Sequence, residues 1–340
     1  MLDIEEKPEL LEYLRSVGCL EPGESVDVNV LSGGVSGRTV LVNWVDKAPW
    51  VIKQAREQLQ VPGDWHADPL RIEREADAMR VLNDILETRR VPKLVFQDRP
   101  HGLIAMQAVP EPFHNWKSML MEGKVVDEHV IDFAQLIATI HIRSYQERQD
   151  VRACLQDMSF FEELRVEPYY TETKISHPEL GSFFDHLVAE MRSNRITFVH
   201  GDYSPKNILV TPEGCVLIDH ETAHWGDPAF DIGFAMTHFL AKALHLRSHR
   251  DVFEAAAHLF WRSYSDAVSG ELWIDGLERR VARHLAACLL ARVDGKSPLE
   301  YLVLADQDYL RRGALRSIQL DSGSVDALVD AYMEVIVGDI

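Results

Sequence analysis

Two short stretches, His200-Gly201-Asp202-Tyr203-Ser204-Pro205-Lys206-Asn207 and Ile218-Asp219-His220-Glu221, flank one expected hairpin, and together they constrain the fold of this chain more than any other feature. Apolar Ile208-Leu209-Val210 reads as a strand, Thr211-Pro212-Glu213-Gly214 as its turn, and Val216-Leu217-Ile218 as the return strand. The return delivers Asp219 beside Asn207. These residue types suit phosphoryl transfer. Asp202 can accept or orient the proton of an incoming hydroxyl. The amide oxygen of Asn207 and the carboxylate of Asp219 can hold Mg2+, a hard cation that takes oxygen ligands and shares them with nucleotide phosphates.

The run from His200 to Val210 and the IDHE stretch resemble the aminoglycoside phosphotransferase and choline kinase family, a branch of the protein-kinase-like fold. His220 departs from the family's usual IDFE or IDWE form. The resemblance implies that Asp202 is the catalytic aspartate and that Asn207 and Asp219 bind the metal. Gly201 stands where protein kinases carry arginine, which argues against control by activation-loop phosphorylation. Gly226-Asp227-Pro228 with Asp231 resembles the family's GDPxxD segment, whose first aspartate helps build the site and whose second starts or buttresses a helix. Asp231 is accordingly expected to cap helix N–H groups. His200 follows the strand-like Ile196-Thr197-Phe198-Val199 and reads as a hydrogen-bonded core residue, whereas His220 reads as either a packed imidazole or a site group.

The other half of such a site is expected upstream. Val26 to Leu31, the turn Ser32-Gly33-Gly34-Val35-Ser36-Gly37, and Thr39 to Val42 read as strand, flexible turn and strand. Gly33, Gly34 and Gly37 would let the backbone approach phosphates closely, although the pattern is not a Walker loop. In Trp50-Val51-Ile52-Lys53, Lys53 resembles the family's phosphate-positioning lysine, and Glu75 in the run Arg74 to Leu82 is its expected carboxylate, with Glu73 the local rival. Asp68-Pro69 fits an N-cap and first helical position. The preceding segment, with Trp65 and His66, reads as a flap or a longer connection. Pro92 to Phe96 and Gly102 to Met106 supply two more strands. Fold resemblance then makes Gln107 and Ala108 the interlobe connection whose backbone recognises adenine.

The expected architecture is an α+β, two-lobed protein-kinase-like fold. A small mixed β-sheet lobe over 1–107 would bind nucleotide, and a larger, mainly helical lobe over 108–340 would carry the catalytic and acceptor-binding parts. Val130, Phe133, Ile137 and Ile140 recur on one helical face, and segments near 251–267, 277–293 and 323–336 favour helices. The region 146–180 reads as a mobile loop or helical insertion bordering substrate. Its Tyr169 and Tyr170 suit core packing at least as well as ring stacking.

Acidic residues number 54 against 35 lysines and arginines, a formal charge of −19. This opposes broad nucleic-acid or anionic-membrane binding and agrees with a cationic acceptor, or simply with solubility. Cys19, Cys154, Cys215 and Cys288 form no CxxC framework, the N-terminus lacks a basic and hydrophobic leader, and no apolar run of about eighteen residues is present. A cytoplasmic location is expected. The expected reaction is magnesium-dependent transfer of the γ-phosphoryl group of ATP to a hydroxyl of a small molecule, an aminoglycoside-like polyol or a metabolite. A nucleotide-binding regulatory pseudokinase is the second reading. The choice of ATP over GTP, the acceptor and the oligomeric state stay open.

Overall fold

The computed structural model describes residues 2–31, 37–56, 68–86 and 89–338. Its first part contains helix α1 (Lys7–Ser16), strands β1 (Val26–Val30), β2 (Gly37–Trp44) and β3 (Trp50–Ala55), helix α2 (Arg71–Ile85), and strands β4 (Leu94–Asp98) and β5 (Leu103–Gln107). The strands form one antiparallel sheet in the order β1-β2-β3-β5-β4. Strand side chains alternate between faces, and this sheet uses both. Leu103 and Ala105 join Val40, Val42 and Ile52 in a small core with Leu10 and Leu14 of α1. Ile104 and Met106 belong instead to the main core, with Met79 and Leu82 of α2. The Tyr13 hydroxyl donates to Asp98 at 2.6 Å and ties α1 to the end of β4.

Helix α2 begins later than expected. Asp68 accepts from the Leu70 N–H at 2.9 Å through its side chain and from the Arg71 N–H through its carbonyl, so Asp68-Pro69 form a turn ahead of the helix rather than its first positions.

The larger part contains β6 (His114–Asn115), α3 (Trp116–Met121), α4 (Asp127–Gln146), α5 (Arg148–Leu155), α6 (Ser159–Phe161), a wide π-helical segment (Glu162–Thr171), α7 (Glu172–Ser176), α8 (Gly181–Ser193), β7 (Thr197–Val199), β8 (Ile208–Thr211), β9 (Gly214–Leu217), β10 (His224–Gly226), α9 (Ala229–His245), α10 (Arg250–Val268), α11 (Leu277–Asp294), α12 (Leu304–Leu320) and α13 (Val325–Gly338). Val130, Phe133, Ile137 and Ile140 are all buried on α4, and α10, α11 and α13 fall where helices were expected. Almost all of α9 is buried, consistent with its nearly continuous apolar sequence. Residues 148–176 are helical apart from a short break at 156–158, and Tyr169 and Tyr170 are packed inside. No helix among the described residues is long and apolar enough to cross a membrane.

Two small sheets position the chemistry. Strand β7 pairs with β10, and β8 lies between β6 and β9. The His200–Asn207 loop therefore runs between two anchored strands, and Asp219 emerges just beyond the end of β9.

Candidate active site

The loop after β7 is held from behind. Asp231, in the first turn of α9, accepts the N–H of His200 at 2.7 Å and of Gly201 at 2.9 Å. Asp227 is the residue that supports the start of α9, accepting from the Ala229 N–H at 3.0 Å and from Arg280 Nε at 2.8 Å. The capping role expected of Asp231 thus falls to Asp227. Asp231 already lies inside the helix, with its carboxylate turned out to the loop. Gly201 has a φ of +76°, and a Cβ there would meet Thr222 Oγ1 at 2.8 Å, so the turn excludes any larger residue.

Asp202 is 4% exposed and receives three donors: Arg165 at 2.9 Å on one carboxylate oxygen, and Lys206 and Asn207 Nδ2, each at 2.8 Å, on the other. Burial raises its pKa, but Arg165 and Lys206 outweigh burial and hold the carboxyl below its ordinary range. Asn207 Nδ2 also donates to the Asp202 carbonyl at 2.9 Å. With the nitrogen committed to two oxygens, the amide oxygen is its free end.

The Ile218 N–H donates to the Asn207 carbonyl at 3.0 Å, which sets Asp219 against the catalytic loop. Asp219 has a φ of +69°, a left-handed conformation that aspartate tolerates better than most residues. One of its carboxylate oxygens accepts from Lys53 at 2.9 Å. Asn207 and Asp219 each keep an oxygen with no partner among the described residues, a donor set that fits a hard divalent cation.

Lys53 on β3 donates to Glu75 on α2 at 2.7 Å as well as to Asp219, and so links the sheet lobe to the segment just beyond β9. Burial disfavours its charge, but the two carboxylates outweigh burial and raise the ammonium above its ordinary range. Glu73, the rival, faces outward and pairs with Arg99 at 3.3 Å. Arg71, buried at the start of α2, reaches Glu221 at 3.1 Å and makes a second link between the same elements.

The remaining expected residues divide. Gly33, Gly34 and the segment holding Trp65 and His66 lie outside the described residues. Gly37 sits in β2 opposite Ala55, and a Cβ there would come within 2.9 Å of the Gln54 carbonyl, so strand approach explains this glycine. The Gln107 N–H is taken by the Lys93 carbonyl at 2.8 Å and the Ala108 N–H by the Pro49 carbonyl at 2.9 Å. Val109, next along, has an N–H with no partner among the described residues. His200 is buried, and its Nδ1 accepts the Asp202 N–H at 3.2 Å. His220 packs edge-on to His200 at 5.1 Å, and burial pushes its imidazole well below the ordinary range, so it is neutral.

Arg165 and Lys206 were missed from sequence. Lys206 stood four residues after Asp202, within view. Arg165 carried no signal, because it comes from a helical segment whose relation to the loop is purely tertiary.

A family model described as the phosphotransferase enzyme family matches residues 27–257, more than half of the chain. The chain belongs to this family. A curated relative, methylthioribose kinase 2 of Oryza sativa subsp. japonica, is 25% identical over 233 residues, covering 61% of this chain and 54% of that protein. The chain thus spans about half the length of that relative. Among solved structures, choline kinase from Cryptosporidium parvum Iowa II superposes with a TM-score of 0.57 at 13% identity, covering 96% of this chain and 100% of that one. Macrolide 2'-phosphotransferase from Brachybacterium faecium superposes with a TM-score of 0.51 at 16% identity, covering 93% and 98%. At these identities the superpositions show the protein-kinase-like fold, which agrees with the α+β two-lobed expectation.

Proposed function

We propose that this phosphotransferase moves the γ-phosphoryl group of ATP to a hydroxyl of a small molecule in a cleft between residues 1–107 and 108–340. The observation that carries this reading is Lys53, donating to Glu75 at 2.7 Å and to Asp219 at 2.9 Å, because an ammonium so held, close to the Asp202 loop, suits donor phosphates. The relatives named above are all kinases or phosphotransferases of small molecules, which supports the acceptor class.

In this reading Lys53, oriented by Glu75, binds donor phosphates, and backbone near Gln107, Ala108 and Val109 meets the adenine. Asn207 and Asp219 would hold Mg2+, which when bound neutralises charge on the phosphates. Asp202 orients the acceptor hydroxyl. An oxygen lone pair forms the new O–P bond, the bond from Pγ to the bridging oxygen breaks with its electron pair leaving on ADP, and the hydroxyl proton passes to Asp202 and then to water. Arg165 and Lys206 keep Asp202 ionised and weakly basic, so alignment contributes more than proton affinity.

A mass-resolved assay of ATP with a panel of hydroxyl compounds, run beside Asp202→Asn, tests the proposal. A phosphorylated product lost in the variant is expected. ATP hydrolysis that no acceptor stimulates would favour the pseudokinase reading.

A further inference from the structure

Phe234, His238 and Lys242 follow one another at four-residue intervals along a single face of α9. The stripe begins at the catalytic loop. Arg165, which pairs with Asp202, lies 5.8 Å from the Phe234 ring and 5.9 Å from the Tyr169 ring. Arg292 of α11 sits over the same two rings at 5.9 and 5.4 Å. The His238 ring is 5.3 Å from Phe234, and Lys242 Nζ is 5.7 Å from the Tyr301 ring. From Phe234 to Lys242 the helix axis advances roughly 12 Å.

The charges along this stripe do not balance. Asp202 answers Arg165, but among the described residues Arg292 donates only to neutral oxygens, at 2.7 Å to the Tyr169 hydroxyl, 2.8 Å to the Ser297 carbonyl and 3.1 Å to the Ser297 hydroxyl. Lys242 is 1% exposed and has no carboxylate within ion-pair distance among the described residues; its one hydrogen bond is to the His238 carbonyl at 3.3 Å. Arg292 Nε, His238 Nε2 and the Tyr301 hydroxyl are buried without partners among the described residues. The nearby carboxylate, Glu300, is held at an exposed position by Lys117 at 2.7 Å. The charges that His238 experiences, those of Lys242, Arg292, Lys206 and Lys117, are all positive. Burial, reinforced by Lys117 and Arg292 and only partly opposed by Glu300, pushes Lys242 down to about 7.

An uncompensated cation this deep destabilises the fold, and unpaired buried donors add to that cost. A chain with 54 acidic residues has ample means to neutralise it. An incoming anion would complete the arrangement. We propose, on the basis of the phosphotransferase reading above, that the acceptor is a small anion whose carboxylate or phosphate is held by Lys242, Arg292 and His238 while its hydroxyl meets Asp202. The local field here is opposite to that of the chain as a whole, so net charge is a misleading guide to the acceptor.

Four six-carbon probes test this: D-gluconate, D-glucose 6-phosphate, D-glucose and D-glucosamine. Binding is measured by calorimetry with the nucleotide site saturated by ADP and Mg2+, and phosphorylation is measured with ATP. At least one of the two anions is expected to bind tenfold or more tightly than glucose and glucosamine, and which one it is separates a carboxylate from a phosphate site. Lys242→Met should weaken that anion tenfold or more while raising the melting temperature of the ligand-free protein, and Lys242→Arg should restore much of the affinity. A merely structural lysine would lower the melting temperature on substitution and leave anion affinity unchanged.

The proposal is overturned if neither anion binds more tightly than glucose, if anion affinity is the same in Lys242→Met, or if glucosamine is the preferred acceptor. Transfer to glucose or glucosamine with inert anions sinks the anionic acceptor and leaves phosphotransfer standing. Lys242-dependent anion binding without transfer to any probe or to any compound of the hydroxyl panel supports the anion site and sinks phosphotransfer.

Discussion

Two lysines, Lys53 half-buried and Lys242 fully buried, occupy opposite electrostatic settings in this molecule. Lys53 bridges the sheet and the segment just beyond β9 with two carboxylates within 2.9 Å, and its charge is stabilised despite burial. Lys242, on α9, has among the described residues only a backbone carbonyl at 3.3 Å and an aromatic ring, and its charge is penalised. A buried cation answered from within the chain fixes elements against each other, whereas one left unanswered is a place for something from outside. The two also respond to pH with opposite signs. The folded-state pKa of Lys53 is raised, so its pairing stabilises fully below the unfolded value of about 10.5 and is lost as pH rises through the raised value. The folded-state pKa of Lys242 is depressed to about 7, so its penalty is complete below pH 7 and fades as pH rises toward 10.5.

The largest effect tests Asp202 itself. Asp202→Asn should lower kcat by roughly 10²- to 10⁴-fold, with ADP affinity by calorimetry changed only a few-fold. Lys53→Met should destabilise the protein by about 3–5 kcal/mol in urea unfolding, because it strands Glu75 and Asp219, and should raise the KM for ATP. A loss below about 1 kcal/mol would mean the bridge is not structural.

Lys242→Met should move stability the other way. A gain on the order of a few kcal/mol is expected at pH 7, shrinking steadily between pH 7 and 9, where the folded lysine is neutral and the unfolded one still carries its proton. A gain independent of pH would remove the contrast between the two lysines. The smallest effect is that of Glu73→Ala. Glu73 shares the first turn of α2 but pairs with the exposed Arg99, so its loss should shift stability by no more than about 0.5 kcal/mol and leave the KM for ATP unchanged.

The parts of the site that could be read beforehand are those held together by short-range geometry. Asp202, Asn207 and Asp219 are separated by a loop and one tight hairpin, and that pairing alone brings them together. The Lys53–Glu75 pair was legible through an apolar strand and an amphipathic run, and the partners, Arg99 for Glu73 and Lys53 for Glu75, separate the two glutamates. The assignment of Asp231 as a cap failed for a local reason: one turn of helix decides whether a carboxylate meets its own helix or a neighbouring loop. Gly37 was expected near phosphate, but its closeness to the Gln54 carbonyl depends on the partner strand and not on the glycine-rich pattern.

Residue types and local periodicity were enough to specify the kind of chemistry, the alternation of the sheet and the buried face of α4, because each depends on neighbours a few positions away. The tertiary structure alone decided which charges are answered. Arg165 meets Asp202 across 37 positions, Lys53 meets Asp219 across 166, and Lys242 meets no carboxylate among the described residues. Ion pairing depends on distances of a few ångströms between groups far apart in the chain, and neither composition nor a net charge of −19 records where those groups come to rest.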